Sequence, residues 1–266
     1  MAARTNVRST PVRRRAYAGT AATSQQGNIA YFKTPCSTCK LRELCPPCCG
    51  LSGSEMDVAN RLSFHRSRLR RGQSLYRTDD RFTSLYALRG GFFKFTILLQ
   101  DGRRDQVTGF SMTGELLGVD GIATERHTCN AIALEDSEVC AIPFAALQRL
   151  VHEIPSLQHQ FHKTMSREIV REHGMLLLLG RMNADERLAT FLLNLSQRFA
   201  GHGCSPSEFN MRMTREEVGS YLGLSLETVS RTLSKFQEEG LISVQQKIIY
   251  LLDNAGLKRV IGRELH

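Results

Sequence analysis

Residues 213–240, "MTREEVGSYLGLSLETVSRTLSKFQEEG", constrain the fold of this chain more than any other stretch. Thr214 and Glu217 have the spacing of a capping box, which predicts that a helix begins here. Gly223 allows a tight turn, and Ser225 is typical of the residue that caps a second helix. Two helices joined by so short a turn predict a helix-turn-helix.

The second predicted helix has two contrasting faces. Its apolar residues are spaced by three, four and three positions, which predicts an inward stripe. The opposite stripe holds short or hydrogen-bonding side chains, as a recognition helix in the major groove of DNA requires. Arginine can bind the two acceptors of a guanine edge, and glutamate can accept from a cytosine amino group. The predicted inward residues are Leu226, Val229, Leu233 and Phe236, and the opposite ones are Glu227, Ser230, Arg231 and Ser234.

The segment after these helices, "LISVQQKIIYL" at residues 241–251, alternates between apolar and polar side chains around Gln245 and Gln246. This alternation predicts a β-hairpin, which would form a wing. An ordinary helical hairpin with a solvated polar face is the alternative interpretation. Helix, glycine turn, helix and wing together favour a winged helix-turn-helix that binds DNA, and we assign it to residues 183–266.

Short apolar alternations separated by glycine turns run from about residue 63 to residue 142. Many short strands with such turns predict a β-sandwich or rolled barrel. We assign this domain to residues 52–150. Residues 143–182 then have a helical pattern, with Pro155 at the start of its long second part, and we assign a dimerisation helix to residues 151–182.

The long helix has an apolar seam with steps of three and four residues, which is typical of a coiled coil. A helix buried in the core of its own chain is the alternative interpretation of such a seam. The carboxylate of Glu172 on an otherwise apolar seam favours a contact with a second chain. The seam consists of His162, Met165, Ile169, Glu172, Leu176 and Leu179.

The net charge of +9 is concentrated at the N-terminus, because residues 1–42 contain eight basic side chains and no acidic one. The rest of the chain has 27 basic and 26 acidic side chains, which nearly cancel. Residues 1–35 therefore predict a disordered basic arm. A transit peptide has a similar composition. No export signal or membrane span is visible, so we expect a cytoplasmic protein with reduced thiols.

Five of the eight cysteines lie within fourteen residues, in the segment 36–51. Cys36, Cys39 and Cys45 are closely spaced, and a proline follows the third. Three thiolates converging from one loop suit a cubane iron–sulfur cluster, which takes four cysteine ligands. A zinc site and a pair of redox thiols remain alternatives. The spacing does not select a fourth ligand among Cys48, Cys49, Cys129 and Cys140.

Several segments together give the chain its resemblance to a known family. They are the cysteine triplet, "SLYALRGG", "GELLG", "VCAIPF", "NADERLATFLLNLSQRF" and the helix-turn-helix stretch. In this combination the chain resembles the FNR type, the fumarate and nitrate reduction regulators, of the cyclic-AMP receptor protein/FNR superfamily of bacterial transcription regulators. The resemblance implies an α+β fold with an N-terminal β-roll (a jelly roll like that of cyclic-nucleotide-binding domains), a long dimerisation helix and a C-terminal winged helix-turn-helix.

The resemblance also implies a cofactor and its ligands. The expected [4Fe–4S] cluster would be held by Cys36, Cys39, Cys45 and, from the "VCAIPF" match, Cys140. An oxygen-responsive regulator of this type forms dimers and binds DNA while the cluster is intact, and loses both when oxygen destroys it. Cys48 and Cys49 depart from the family pattern as two extra thiols beside the third ligand. Substitution as ligands and retention of sulfur after oxidation are the alternative roles, but we expect no function for them.

The resemblance further implies the partners of the chain. Glu227, Ser230 and Arg231 would contact base edges of a TTGAT-like half-site, with a homodimer bound to a palindromic DNA duplex and in contact with RNA polymerase. An Arg-Ser pair that grips the phosphate in cyclic-nucleotide regulators is replaced here by Thr128 and Cys129. An anionic nucleotide would lack its charge-assisted partners, so we expect no cyclic nucleotide.

We expect Glu172, flanked on the seam by Ile169 and Leu176, to act as the dimer switch, because two carboxylates would meet in the interface. A regulator with the same output but a zinc or dithiol sensor is the first alternative. The second is an iron–sulfur enzyme or electron carrier. The chain lacks a radical-enzyme cysteine motif, two-cluster ferredoxin spacing and a glycine-rich nucleotide loop, so we expect no enzymatic activity.

Overall fold

The structure is a computed structural model that describes residues 65–98 and 105–262. The predicted basic arm at 1–35 and the predicted cluster loop at 36–51 lie outside the described residues. Within them, a β-roll is followed by two consecutive helices and a second, mostly helical unit.

Within residues 65–98 and 105–143, the β-roll consists of two four-stranded antiparallel sheets, with strand orders β1-β8-β3-β6 and β2-β7-β4-β5. Apolar side chains between the sheets form its interior, and alternate residues point to opposite faces of a strand. Phe93 and Val139 lie in this interior, whereas their neighbours Phe92 and Cys140 belong to apolar clusters on the outer faces. The strands are β1 His65–Leu69, β2 Ser74–Tyr76, β3 Ser84–Gly90, β4 Phe92–Leu98, β5 Asp105–Met112, β6 Leu116–Leu117, β7 Asn130–Ala133 and β8 Ser137–Pro143.

Two helices follow the roll directly. Helix α1 (Phe144–Glu153) packs on its outer face, and helix α2 (Pro155–Arg181) is 27 residues long. Pro155 is the first residue of α2, where its fixed φ and missing N–H suit a helix N-terminus. The predicted long helix is confirmed. No helix in the described part of the chain is both long enough and apolar enough to cross a membrane.

As far as residue 262, where the described part ends, the C-terminal unit contains four helices and a three-stranded antiparallel sheet of order β10-β11-β9. Its final helix, α6, was not predicted from the sequence. The β-roll, the long helix and the helix-turn-helix with its hairpin confirm the predicted α+β fold class. The elements are α3 Ala184–Gly201, β9 Glu208–Asn210, α4 Arg215–Leu222, α5 Leu226–Glu238, β10 Ile242–Gln245, β11 Ile248–Leu251 and α6 Asn254–Gly262.

One continuous apolar cluster joins the roll to the C-terminal unit. Phe92, Phe110 and Met112 on the outer face of β4 and β5 share it with buried side chains of α3, α4 and α5. The rings of Phe110 and Tyr221 meet edge to face, with centroids 5.1 Å apart. The two units therefore pack against each other.

Candidate nucleic-acid interface and sensor region

Helices α4 and α5 form the predicted helix-turn-helix. The Thr214 hydroxyl accepts a hydrogen bond from the Glu217 N–H, and the Glu217 carboxylate accepts one from the Thr214 N–H, so the capping box is confirmed. Gly223 has a φ of 64°, the left-handed conformation that makes glycine favourable in the turn. The Ser225 hydroxyl caps α5 by accepting from the Thr228 N–H.

The predicted base-contacting residues share the outer face of α5. Glu227 and Arg231 are exposed, and Ser230 is partly exposed. The Arg215 guanidinium of α4 donates to the Ser230 hydroxyl over 3.2 Å. A hydrogen bond from its own N–H, followed by one with the Ser225 hydroxyl, lowers the pKa of Glu227. This face therefore presents an acceptor carboxylate, a hydroxyl and a guanidinium to solvent.

The predicted inward stripe of α5 is correct for three of its four members. Val229, Leu233 and Phe236 are fully or almost fully buried. The prediction is wrong for Leu226, whose side chain is 46% exposed. Leu226 is the first residue of the helix, so it extends beyond the apolar surface that covers the later turns.

Helix α5 is also held by the N-terminus of α3. Asp185 accepts a hydrogen bond from the Thr232 hydroxyl at 3.1 Å and forms an ion pair with the Lys235 ammonium at 2.6 Å. Asp185 lies in the first turn of α3, where a carboxylate is favoured by the helix dipole. The hairpin of β10 and β11 forms the predicted wing, with Gln246 at a φ of 57° in its turn.

The roll grips α4 through polar contacts beside the apolar cluster. Lys94 Nζ on β4 lies 2.7 Å from Glu217 Oε1, and the N–H of Val107 on β5 donates to the Ser220 hydroxyl at 2.9 Å. The Gln106 side-chain amide donates to the Ser220 carbonyl. Burial would raise the pKa of Glu217, but the hydrogen bonds from Lys94 and Thr214 outweigh it and lower that pKa.

An ion-pair network joins the roll, α2 and α3. Arg198 donates from Nε and Nη2 to the two oxygens of Glu115, at 2.9 and 2.7 Å. Arg171 of α2 lies 3.8 Å from Glu115 and also pairs with Glu168. Burial would raise the pKa of Glu115, but the charge and hydrogen bonds of Arg198, with the charge of Arg171, lower it. Glu115 therefore stays ionised in the folded protein.

The predicted seam on α2 is largely uncovered in the single chain. Ile169 is 56% and Leu176 is 68% exposed, and Glu172 between them is also exposed. Val170 and Leu177 add further exposed apolar surface. Contiguous apolar surface of this kind indicates an interaction site.

Only one predicted cluster ligand lies in the described residues. Cys140 is buried in β8, opposite Arg66 on β1 and Ala87 on β3. The other three, Cys36, Cys39 and Cys45, lie outside the described residues. Within residues 65–98 and 105–262, no three His, Cys, Asp or Glu side chains are grouped to hold a metal ion.

Asp120 organises a polar cluster in the roll, within the short 3-10 turn Val119–Gly121. Its carboxylate accepts from the Thr128 N–H at 2.8 Å, from Cys129 Sγ at 3.6 Å and from the Tyr76 hydroxyl at 3.2 Å. Burial, followed by the charge of Asp120, raises the pKa of Cys129 to about 12. The thiolate form of Cys129 is therefore strongly disfavoured.

Sequence reasoning missed the residues that join the two units. Lys94 and Glu217 are 123 positions apart, and Glu115 and Arg198 are 83 apart, so no local pattern connects them. The one available signal was that Glu115 and Arg198 belong to the "GELLG" and "NLSQRF" segments on which the family resemblance rests.

A β-roll packed against a helix-turn-helix with an exposed polar face defines a two-domain DNA-binding regulator. The sequence pattern of a cyclic nucleotide-binding domain matches residues 66–153, and that of a Crp-like helix-turn-helix domain matches residues 186–260.

Curated relatives resemble the chain over most of its length. The transcriptional regulatory protein btr of Bordetella pertussis is 47% identical over 86% of this chain and 94% of its own. The fumarate and nitrate reduction regulatory protein of Escherichia coli K12 is 41% identical over 85% of this chain and 90% of its own. The solved structure of FixK2 from Bradyrhizobium japonicum matches with a TM-score of 0.68 and 27% identity, over 75% of this chain and 98% of that one.

The chain therefore belongs to the CRP/FNR family of transcription regulators. This confirms the resemblance drawn from the sequence. The named relatives are regulators of transcription, so the expectation that the chain is not an enzyme is confirmed as well.

Proposed function

We propose that the chain is an oxygen-responsive regulator that acts in the cytoplasm, where such thiols stay reduced. A [4Fe–4S] cluster promotes homodimerisation and binding to palindromic TTGAT-like operators without oxygen, and oxygen destroys the cluster. The similarity to a fumarate and nitrate reduction regulatory protein supports this proposal. The observation that carries it is the position of Cys140, which shares one apolar cluster with the first turns of α2.

The donor set fits such a cluster. Cys36, Cys39, Cys45 and Cys140 would provide four thiolates, the usual ligands of a cubane. Cys140 lies on β8 beside β1, the first described strand after the cysteine-rich segment. Cys129 is the poorer candidate for the fourth ligand, because it lies between the two sheets and its thiol donates to Asp120 at 3.6 Å, whereas Cys140 lies on an outer face of the roll. When bound, the cluster would supply an air-labile link between the N-terminal segment and the roll.

The surroundings of Cys140 offer a route from the sensor to the dimer helix. Cys140 and Ala87 face the same outer cluster as Leu157, a fully buried residue in the first turn of α2. Phe161 and Met165, one and two turns further along α2, pack against this cluster. Because packed cores transmit small displacements, a shift at Cys140 would move the start of the seam.

Glu172 is the proposed switch within the seam. In a dimer, two of these carboxylates would meet in a partly dry interface, where an ion without a partner is costly. Arg171, the neighbouring cation, is held by Glu115 and Glu168 in the single chain. A shift of α2 would let the neighbouring basic groups, Arg167 and Arg171, offset the repulsion between the two Glu172 carboxylates, so α2 would have two states that the sensor biases.

The proposed dimer reads both halves of a palindrome. Glu227, Ser230 and Arg231 contact base edges from the exposed face of α5. Two half-sites bound together gain from effective concentration, and a monomer loses this gain. On DNA, the dimer is proposed to contact RNA polymerase and to activate transcription. The proposed activation is supported by two relatives from Pseudomonas that are named transcriptional activators.

Cyclic nucleotides are not the proposed signal, although the roll matches a cyclic nucleotide-binding domain. The carboxylate of Asp120 accepts the Thr128 N–H at the position where the nucleotide regulators grip phosphate. The exposed Arg126 instead donates to the Asp79 carbonyl at 2.6 Å. A phosphate placed at the Thr128 N–H would meet the negative charge of Asp120.

The decisive experiment follows visible absorbance, sedimentation and operator binding together while air is admitted to anaerobically purified protein. We expect iron with acid-labile sulfide, and we expect the absorbance, the dimer and DNA binding to disappear together. Cys140→Ser should abolish all three without oxygen, whereas the matched control Cys204→Ser, at an exposed cysteine, should behave like wild type. A colourless anaerobic protein, or a Cys140→Ser variant that still binds as a dimer, would refute the proposal.

The alternative is the same DNA-binding output with a zinc or dithiol sensor. It is favoured only by the thiol-rich segment itself, where Cys45 and Cys48 have the spacing of a zinc-binding couple. Stoichiometric zinc without sulfide in the anaerobic protein would select this alternative.

A further inference from the structure

We infer that Leu226 is a specificity-determining residue that contacts the 5-methyl group of a thymine in each half-site. The inference rests on the proposed role of α5 as the helix that reads base edges. It extends the set of reading residues from three hydrogen-bonding side chains to an apolar one.

The position of Leu226 on α5 carries the inference. It is the first residue of the helix, and the N-terminal residues of a recognition helix are those that reach base edges. Ser230 lies four positions further on, so the two side chains are neighbours along one side of the helix. Glu227 and Arg231 adjoin them, and the four residues make one continuous surface in the first two turns.

The chemistry of this surface is mixed. Leu226 is 46% exposed, while Val229, one turn further along the helix, is fully buried. The polar members can read donors and acceptors, but a thymine also presents a methyl group in the major groove, which only an apolar side chain reads well. A leucine kept in water at this place would bury apolar surface against that methyl group on binding.

The cap of α5 fixes where this side chain points. The Ser225 hydroxyl accepts from the Thr228 N–H at 3.1 Å, which defines the first turn that starts at Leu226. The buried Val229, Leu233 and Phe236 fix the rotation of the helix about its axis. Leu226 is thus presented by a rigid element rather than by a flexible loop, as precise contacts require.

Replacing thymine by deoxyuridine tests the inference, because it removes the methyl group and leaves the base-pairing edge unchanged. The palindrome preferred by the anaerobic wild-type protein is first selected from random duplexes. Each thymine of its half-sites is then replaced in turn. We expect one position, replaced in both half-sites, to weaken wild-type binding by about fourfold per half-site, the value of one buried methyl group.

A protein variant, tested on both duplexes, turns this comparison into a double-mutant cycle. Leu226→Ala should bind the thymine duplex about as weakly as wild type binds the deoxyuridine duplex, and should lose little more when the methyl group is absent. The matched control is Leu252→Ala, because Leu252 is 62% exposed in the same unit but lies off α5. Leu252→Ala should keep the full sensitivity to deoxyuridine.

Two outcomes overturn the inference: wild-type binding that is insensitive to deoxyuridine at every thymine, or an equal sensitivity in Leu226→Ala. Either result leaves the proposed sensor intact. Conversely, wild-type binding that is unaffected by air refutes the oxygen response, while the deoxyuridine result still decides the role of Leu226. A failure to select any duplex removes both proposals.

Discussion

Helices α5 and α2 each carry a row of apolar residues at the same spacing of three and four positions, yet the two rows differ in their burial. On α5, Val229, Leu233 and Phe236 are buried by their own chain. On α2, Ile169 and Leu176 are mostly exposed. The spacing therefore predicts an apolar face in both cases, but it does not say which chain covers that face.

What separates the two rows is the polar residue that accompanies the apolar ones. Beside the row on α5 lies the buried Thr232, whose hydroxyl donates to Asp185 at 3.1 Å. The row on α2 includes the exposed carboxylate of Glu172. A polar group that the chain itself satisfies is compatible with a permanent core, whereas an ionised one makes burial conditional.

The largest expected effect compares truncations in the two rows. Phe236→Ala should lower the free energy of unfolding by about 3–5 kcal/mol, because it leaves a cavity in a closed core. Ile169→Ala should change the stability of the protein in air by less than about 0.5 kcal/mol, since more than half of this residue is already exposed. Urea unfolding in air measures both, and sedimentation of the anaerobic protein should then show weaker dimers for Ile169→Ala. Equal losses of monomer stability would contradict the comparison.

The next expected effect concerns the burial of the α2 seam in a dimer. Glu172→Ala should tighten self-association by about 10- to 100-fold, or about 1.4–2.7 kcal/mol, because it removes two carboxylates from the interface. Sedimentation equilibrium in air measures this change.

The matched control for Glu172 is Glu153→Ala, because Glu153 is an exposed carboxylate at the end of α1 and lies off the seam. Its loss should not produce dimers in air. If Glu172→Ala remains monomeric in air, or if Glu153→Ala forms dimers equally well, the assignment of the switch is wrong.

The smallest expected effect concerns the ion pairs by which Glu115 anchors α2 and α3 to the roll. Glu115 has a lowered pKa in the folded protein, so its contribution to stability is complete above the pKa of an unfolded glutamate, about 4.3, and is lost as the pH falls toward the lowered value. Glu115→Gln should therefore be less stable than wild type at pH 7, and the difference should shrink near pH 3.5. Urea unfolding at the two pH values checks this, and a difference that is independent of pH would exclude the assigned cause.

The parts of the fold that the sequence predicts are those whose physical cause is local. The capping box at Thr214, the turn at Gly223 and the cap at Ser225 each involve groups within three or four positions, and all three are present. Leu226 was misplaced because a helical repeat does not reveal where the covering surface ends.

The contacts between the two units have no such local cause. Glu115 and Arg198 meet only after the roll and α3 have both folded, and Lys94 meets Glu217 in the same way. Helix α6 was not predicted because it is only nine residues long, which gives a short periodic pattern. In the proposed sensor region, residue types predict a metal-binding loop, but the position of Cys140 in one apolar cluster with the start of α2 depends on how the outer face of the roll is packed.

Glu217 uses its two oxygens for two different tasks. One accepts the Thr214 N–H that opens α4, and the other holds the Lys94 ammonium of the roll. The residue that joins the two units therefore also caps α4, so the ion pair acts on the start of the helix directly. A displacement of β4 would therefore act directly on the first turn of α4, where the helix-turn-helix begins.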